Sequence, residues 1–164
     1  MTNLVTLVNF EKATHLDDWY VVNDTVMGGR SSAKFELKDN QYASFYGEVS
    51  TANNGGFASV RRNFDQMNIK DCSIAVLQVK GDGKSYQLRF KKNSDDYYSY
   101  LYEFETTGEW QEINIPLNEM YASWRGRKVD LENFHANQIE ELAFLIGNKR
   151  NEIFKLDIKS IQVK

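Results

Sequence analysis

Apolar and polar residues alternate along most of this chain. Tyr86, Leu88 and Phe90 alternate with Gln87, Arg89 and Lys91, and Phe154, Leu156 and Ile158 with Lys155, Asp157 and Lys159. A period of two puts the two sets on opposite faces of a strand. Phe35 and Leu37 alternate with Lys34 and Glu36; Tyr98, Tyr100, Tyr102 and Phe104 share one face, and Ile113 and Ile115 another. Residues 4–9 and 142–146 read as short buried strands. At residues 74–79 both sets are apolar except at Gln78, which suits a central strand covered on both faces. Turn formers separate the runs at Lys38-Asp39-Asn40, Gly81-Asp82-Gly83, Asn93-Ser94-Asp95 and Thr107-Gly108. Strands at this spacing predict an all-β sandwich or barrel. Helical periodicity is scarce: residues 130–136 read as a single turn and residues 11–18 as a short possibility. We expect no helix longer than about three turns.

Composition narrows the class. A length of 164 residues suits one domain spanning 1–164, with enough chain to bury a core without staples. A net charge of −3 carries no nucleic-acid or membrane-surface footprint. No stretch has the apolar length of a membrane span. Residues 1–10 lack the features of a secretory signal or a transit peptide, so a cytoplasmic, bacterial chain is expected. Cys72, the one cysteine, sits beside apolar residues and reads as a small core filler rather than a reactive thiol.

Two loops stand out against the strands. Asn23-Asp24-Thr25-Val26-Met27-Gly28-Gly29-Arg30-Ser31 has an echo in Asn53-Asn54-Gly55-Gly56-Phe57-Ala58-Ser59-Val60-Arg61. Glycine accepts positive φ and close backbone approach, so each Gly-Gly pair predicts either a shaped loop or a tight turn of a β protein. If every strand from Trp19 onward reverses direction, residues 24–30, 50–55, 81–84 and 106–108 fall at one end of the sandwich. Function concentrates in loops on a rigid scaffold. The candidate binding cluster is therefore Asn23, Asp24, Met27, Gly28, Gly29, Arg30, Asn53, Asn54, Gly55, Gly56, Arg61 and Asp82, with Trp124.

The chemistry open to these residues is limited. His15 and His135 are far apart with no ligand-spaced partners, so no zinc site is expected. Gly81-Asp82-Gly83-Lys84 is too short for a phosphate loop, and no nucleophile elbow or dinucleotide fingerprint is present. Asp24, Glu48 and Asp82 are carboxylates that turns or ion pairs would occupy; glycoside hydrolysis would need two of them across a bond. Loop oxygens could hold calcium, but no EF-hand spacing supports it. Arg30 and Arg61 either clamp the loops against Asp24 or Glu48, the preferred reading, or hold an anion by bidentate contact. Trp19 and Trp110 are expected in the core. Trp124, in a loop, either stacks on a sugar ring, anchors a partner, or plugs the end of the sandwich.

With Trp19, the run Phe45-Tyr46-Gly47-Glu48-Val49-Ser50, Glu109-Trp110-Gln111, Ile115-Pro116-Leu117, Arg125-Gly126-Arg127 and Phe154-Lys155-Leu156-Asp157-Ile158, the two Gly-Gly motifs resemble the signature of the complex I intermediate-associated protein family. Leu117 departs from the pattern, where an aromatic residue is expected. The resemblance implies a galactose-binding-like fold, a jelly-roll-like sandwich of two antiparallel sheets. It implies a non-enzymatic binding module without cofactor, protein-binding or assembly-assisting, since mitochondrial members assist assembly of respiratory complex I. The alternative is a carbohydrate or other small-ligand module with its site at the loop end; an enzyme is the least favoured reading.

Overall fold

The computed structural model describes residues 4–23, 31–52 and 56–164. Strands dominate it: β1 (Val5–Asn9), β2 (Trp19–Asn23), β3 (Ser32–Lys38), β4 (Tyr42–Val49), β5 (Ala58–Asn68), β6 (Ile74–Lys80), β7 (Ser85–Lys91), β8 (Ser99–Glu105), β9 (Trp110–Pro116), β10 (Tyr121–Trp124), β11 (Arg127–Lys128), β12 (Gln138–Ile146) and β13 (Glu152–Val163). A 3-10 turn at Leu117–Glu119 directly follows Pro116. The strands form two antiparallel sheets. One has the order β3-β4-β13-β6-β9, with β1 also paired to β13; the other has the order β11-β10-β8-β7-β12-β5-β2.

The alternation read from the sequence sets which side chains meet between the sheets. Tyr86, Leu88 and Phe90 of β7 point inward beside Leu142, Phe144 and Ile146 of β12, and Phe45, Leu77, Val79, Phe154, Leu156 and Ile158 meet them from the six-stranded sheet. The Tyr86 and Phe154 rings join the two layers at 6.5 Å. Fully burying an aromatic or branched side chain contributes about 1.5–3 kcal/mol, so this single layer supplies the main driving force for folding.

The ends of the strands follow turn chemistry. Asp39 and Asn40, both at φ 54°, join β3 to β4, and Arg125 (φ 50°) with Gly126 (φ 78°) joins β10 to β11. Two successive positive φ values are what a type I′ hairpin turn needs, and its twist matches that of the flanking strands.

Three local expectations change. Trp110 starts β9 as expected, but it lies on the outer face of its sheet, 38% exposed, against Tyr42 at 5.4 Å. Its parity along β9 is opposite to that of the buried Ile115, so the alternation itself puts it outside. Residues 130–136 form no helical turn. Phe134 is drawn into the core between Phe90 and Tyr100, and its N–H donates to the Met120 carbonyl at 2.8 Å, which holds the segment open. Residues 11–18 likewise form turns and bends rather than helix.

Candidate functional site

Among the described residues no other layer covers the outer face of the seven-stranded sheet, and its register brings distant residues into one row. Tyr20 pairs with Arg61, Arg61 with Ala143, Ala143 with Arg89, Arg89 with Leu101, and Leu101 with Tyr121. The row crosses β2, β5, β12, β7, β8 and β10. At its middle the methyl group of Ala143 separates two arginines. Neighbouring strands lie about 4.8 Å apart, so Arg61 and Arg89 stand roughly 10 Å apart at their backbones with a small residue between them. Ala143 is only 3% exposed, because the long side chains beside it lean over it.

The result is a groove of about 800 Å³. Its floor is this row from Arg61 to Tyr121 together with Gln87, Lys91, Ser99, Ser123, Glu141 and Leu145. Tyr97, Trp124 and Arg125 stand at one end of it, and Thr51, Gly56, Phe57, Gly147 and Lys149 at the other. The Arg125-Gly126 turn carries Trp124 at the rim, where it meets Tyr97 edge to face at 5.7 Å and lies under the Arg125 guanidinium at 4.9 Å. Both rings stay open to solvent, Tyr97 at 60% and Trp124 at 44% exposure.

Charge in the groove is one-sided. Arg61, Arg89, Lys91, Arg125 and Lys149 line it, and Glu141 is the one carboxylate among its described lining residues. Glu141 is 8% exposed and already engaged: its Oε1 accepts from the Tyr20 hydroxyl at 3.2 Å, and its Oε2 lies 3.9 Å from Lys91 Nζ. Burial, and then the Glu141 charge, push the Tyr20 hydroxyl above its usual pKa. Arg61 is held from behind, its Nε donating to Ser59 Oγ at 3.2 Å while that hydroxyl donates to the Val22 carbonyl at 2.7 Å. Arg89 is different. Its Nε is shielded from solvent and has no hydrogen-bond partner, and the Gln87 amide oxygen is in the same state. Burial, then the like charge of Arg61, push the Arg89 guanidinium down to about 10. Buried polar atoms are nearly always satisfied, so two unpaired ones in one groove mark a place where a partner fits.

Of the residues singled out from the sequence, Gly56, Arg61 and Trp124 line this groove. Gly56 has φ 142°, so at least one glycine of the paired motifs has the positive φ that shapes a loop. Asn23 ends β2 opposite Ala58, near the same loops. Asp82 is a bracket between the sheets. Its Oδ1 accepts from the buried Tyr86 hydroxyl at 2.9 Å, and its Oδ2 accepts from the Lys155 N–H at 2.9 Å and from Lys84 Nζ at 3.3 Å. Lys155 lies beyond the last residue of β13 that pairs with β6, so its N–H has no strand partner on that side and the carboxylate takes it. Asp24, Met27, Gly28, Gly29, Arg30, Asn53, Asn54 and Gly55 lie outside the described residues. The described loops of that end do meet: Thr51 donates its N–H to Asn151 Oδ1 at 2.8 Å, and Thr106 donates its N–H to the Lys84 carbonyl at 3.2 Å.

Sequence reading missed Gln87, Arg89, Lys91, Tyr97, Leu101, Tyr121 and Glu141. The one signal was the unusually basic polar side of β7, which looks like any solvated strand face. Among the described residues no group of three or more His, Cys, Asp or Glu side chains could hold a metal ion. Burial pushes the Cys72 thiol up, which keeps it out of the nucleophilic thiolate form.

Known proteins frame this geometry. A family 11 carbohydrate-binding module from Clostridium thermocellum, solved with a β-1,3-1,4-mixed-linked tetrasaccharide, superposes with a TM-score of 0.70 at 14% identity, covering 98% of this chain and 94% of that one. A family 29 carbohydrate-binding module, CBM29-2, superposes with a TM-score of 0.57 at 10% identity, covering 99% and 92%. At such identities the likeness is one of fold, the β-sandwich of two antiparallel sheets. In sequence, the mitochondrial Complex I intermediate-associated protein 30 of Mus musculus is 26% identical over 177 residues, which takes in 94% of this chain. The chain spans 54% of that protein's length. Residues 8–158 match the family described as Complex I intermediate-associated protein 30 (CIA30), and the chain belongs to that family.

Proposed function

We propose that this chain is a non-enzymatic binding module whose ligand, a saccharide chain, lies in the groove on the outer face of the seven-stranded sheet. One observation carries the reading: a groove of about 800 Å³ with the exposed rings of Tyr97 and Trp124 at its rim and convergent polar side chains on its floor. Aromatic faces stack on the apolar faces of sugar rings, and planar polar groups bond their hydroxyls. The groove lies on the sheet rather than among the loops at its end, so rigid strands set its polar groups. Glu141, the one carboxylate among the described lining residues, is bonded to Tyr20 and by itself does not make the carboxylate pair that glycoside hydrolysis employs. The fold likeness to two carbohydrate-binding modules agrees with this reading.

The test is calorimetric titration of the protein with a panel of neutral and acidic oligosaccharides, repeated on Trp124→Ala. The expected result is binding of at least one saccharide, weakened about tenfold or more by loss of the ring. A panel that shows no binding removes the reading.

A second reading rests on the sequence relationship. The mouse relative is named for association with a complex I intermediate, so the module would dock a protein client. Affinity capture from the native cell, with Ala143→Trp to fill the groove, separates the two. A client that still binds the filled variant uses another surface.

A further inference from the structure

The groove's electrostatics differ from the rest of the molecule. The chain as a whole is acidic, with a net charge of −3. Its groove gathers Arg61, Arg89, Lys91, Arg125 and Lys149 around the single carboxylate Glu141 among the described lining residues. We propose that the groove selects an anionic saccharide, one carrying carboxylate or sulfate groups along its chain, over a neutral glucan. This rests on the saccharide-binding reading above and narrows its ligand.

Three features support it. First, Arg61 and Arg89 flank Ala143 in one cross-strand row, so two guanidinium forks face the same hollow. A guanidinium matches the planar geometry of a carboxylate and is the least strongly hydrated cation in proteins, so it gives up water for an anion at low cost. Second, Arg89 Nε is buried without an acceptor, and the like charge of Arg61 opposes its protonation. A neutral hydroxyl could accept that hydrogen bond but would leave the mutual repulsion in place. An anion between the two arginines removes both costs. Third, the cations continue to both rims, Arg125 beside Trp124 and Lys149 at the opposite end. Charge spread along the groove fits an extended chain with repeated anionic groups better than a single small anion. Low-dielectric walls further focus the field of such a row.

The experiment is calorimetric titration of the whole chain with oligosaccharides of matched length: oligogalacturonate for carboxylate, a heparin oligosaccharide for sulfate, and a mixed-linked glucan as the neutral arm. The variants are Arg89→Gln, Arg89→Lys, the exposed-rim pair Arg125→Gln with Lys149→Gln, and Lys155→Gln on the opposite sheet. The expected result is that one anionic arm binds at least about tenfold more tightly than the glucan. Arg89→Gln then weakens it about tenfold or more, Arg89→Lys weakens it partly, and the rim pair weakens it without changing the melting temperature. Lys155→Gln leaves it unchanged. The arm that binds names the anion.

If the glucan binds as tightly as either anionic chain, the selection for charge is wrong, while the module reading stands. If no arm binds, both fall. Equal weakening by Lys155→Gln and by Arg89→Gln would mean diffuse charge attraction and would also overturn the inference. Should Arg89→Gln fail to fold, the rim pair decides alone: no loss of anion binding there overturns the proposal.

Discussion

The molecule presents two polar sheet faces to solvent, and they are built differently. On the six-stranded sheet, charges meet their opposites. Glu36 accepts from the Tyr46 hydroxyl at 2.8 Å and from Lys38 Nζ at 3.1 Å, and these bonds hold its carboxyl below the usual carboxylate range. Lys155 Nζ lies 3.7 Å from Asp157, Gln78 donates to Glu112 at 3.0 Å, and Lys159 sits over the Trp110 ring at 4.6 Å. The cross-strand row there runs Glu36, Ser44, Asp157, Lys80, Trp110, with the two signs interspersed. Asp157 Oδ1 and the Ser44 hydroxyl are left unpaired on this face, but cations stand on both sides of the carboxylate, at Lys80 and Lys155. On the seven-stranded sheet the corresponding row places Arg61 and Arg89 on either side of Ala143, with no carboxylate in the row. A face meant only for water can neutralise itself strand by strand. A face that keeps two arginines together, with the Nε of one lacking a partner, retains a cost that a bound anion would offset. Two strand faces with the same alternation can therefore serve different ends.

The largest expected effect sharpens this contrast. Ala143→Trp fills the hollow between the arginines. It should weaken any groove ligand by more than about a hundredfold, equivalent to ~3 kcal/mol, in a calorimetric titration. Trp110→Ala, on the other face, should leave the same affinity within about twofold. A loss at Trp110 would move the ligand to the six-stranded sheet and break the comparison.

Next comes the bracket that holds the two faces in register. Asp82→Ala removes acceptors from the buried Tyr86 hydroxyl and from the Lys155 N–H. We expect a loss of about 3 kcal/mol in urea denaturation, with Asp82→Asn losing less. A variant as stable as the parent would show that the sheets are held by core packing alone.

The same bracket predicts a pH dependence. Burial, then the Asp82 charge, push the Tyr86 hydroxyl far above its ordinary pKa near 10. In the unfolded chain Tyr86 ionises above pH 10, while in the folded chain it keeps its proton. The unfolded state then binds fewer protons, so stability is full below about pH 10 and declines above it, by up to about 1.4 kcal/mol per pH unit for this one group. Tyr86→Phe should flatten that alkaline slope relative to the parent in denaturation curves from pH 9 to 11.

The smallest effect is expected on the self-neutralised face. Lys155 is largely exposed, so Lys155→Ala should cost less than about 1 kcal/mol by thermal melting. A larger loss would mean that Asp157, itself buried, depends on that one cation.

Much of this architecture is legible in the chain read residue by residue. A strand's two faces are written in its own residues, so Tyr86-Leu88-Phe90 and Phe154-Leu156-Ile158 announce both their strands and their inward side. Asp39-Asn40 and Gly126 mark turns because Asp, Asn and Gly accept positive φ more readily than other residues. The family signature in the Gly-Gly motifs is likewise local. The groove is not local at all. Tyr20, Arg61, Ala143, Arg89, Leu101 and Tyr121 lie on six strands whose order in the sheet differs from their order in the chain. Their meeting depends on which strands pair and in what register, and a slip of one residue would turn Arg89 inward and Leu88 out. Arg89 reads as a solvated residue in sequence. In the sheet it is half-buried with its Nε unpartnered, beside the small Ala143 of β12 and with a second arginine, on β5, to the far side. Side-chain alternation is decided within a strand, whereas the charge of a groove is decided between strands, by contacts that exist only once the sheet has formed.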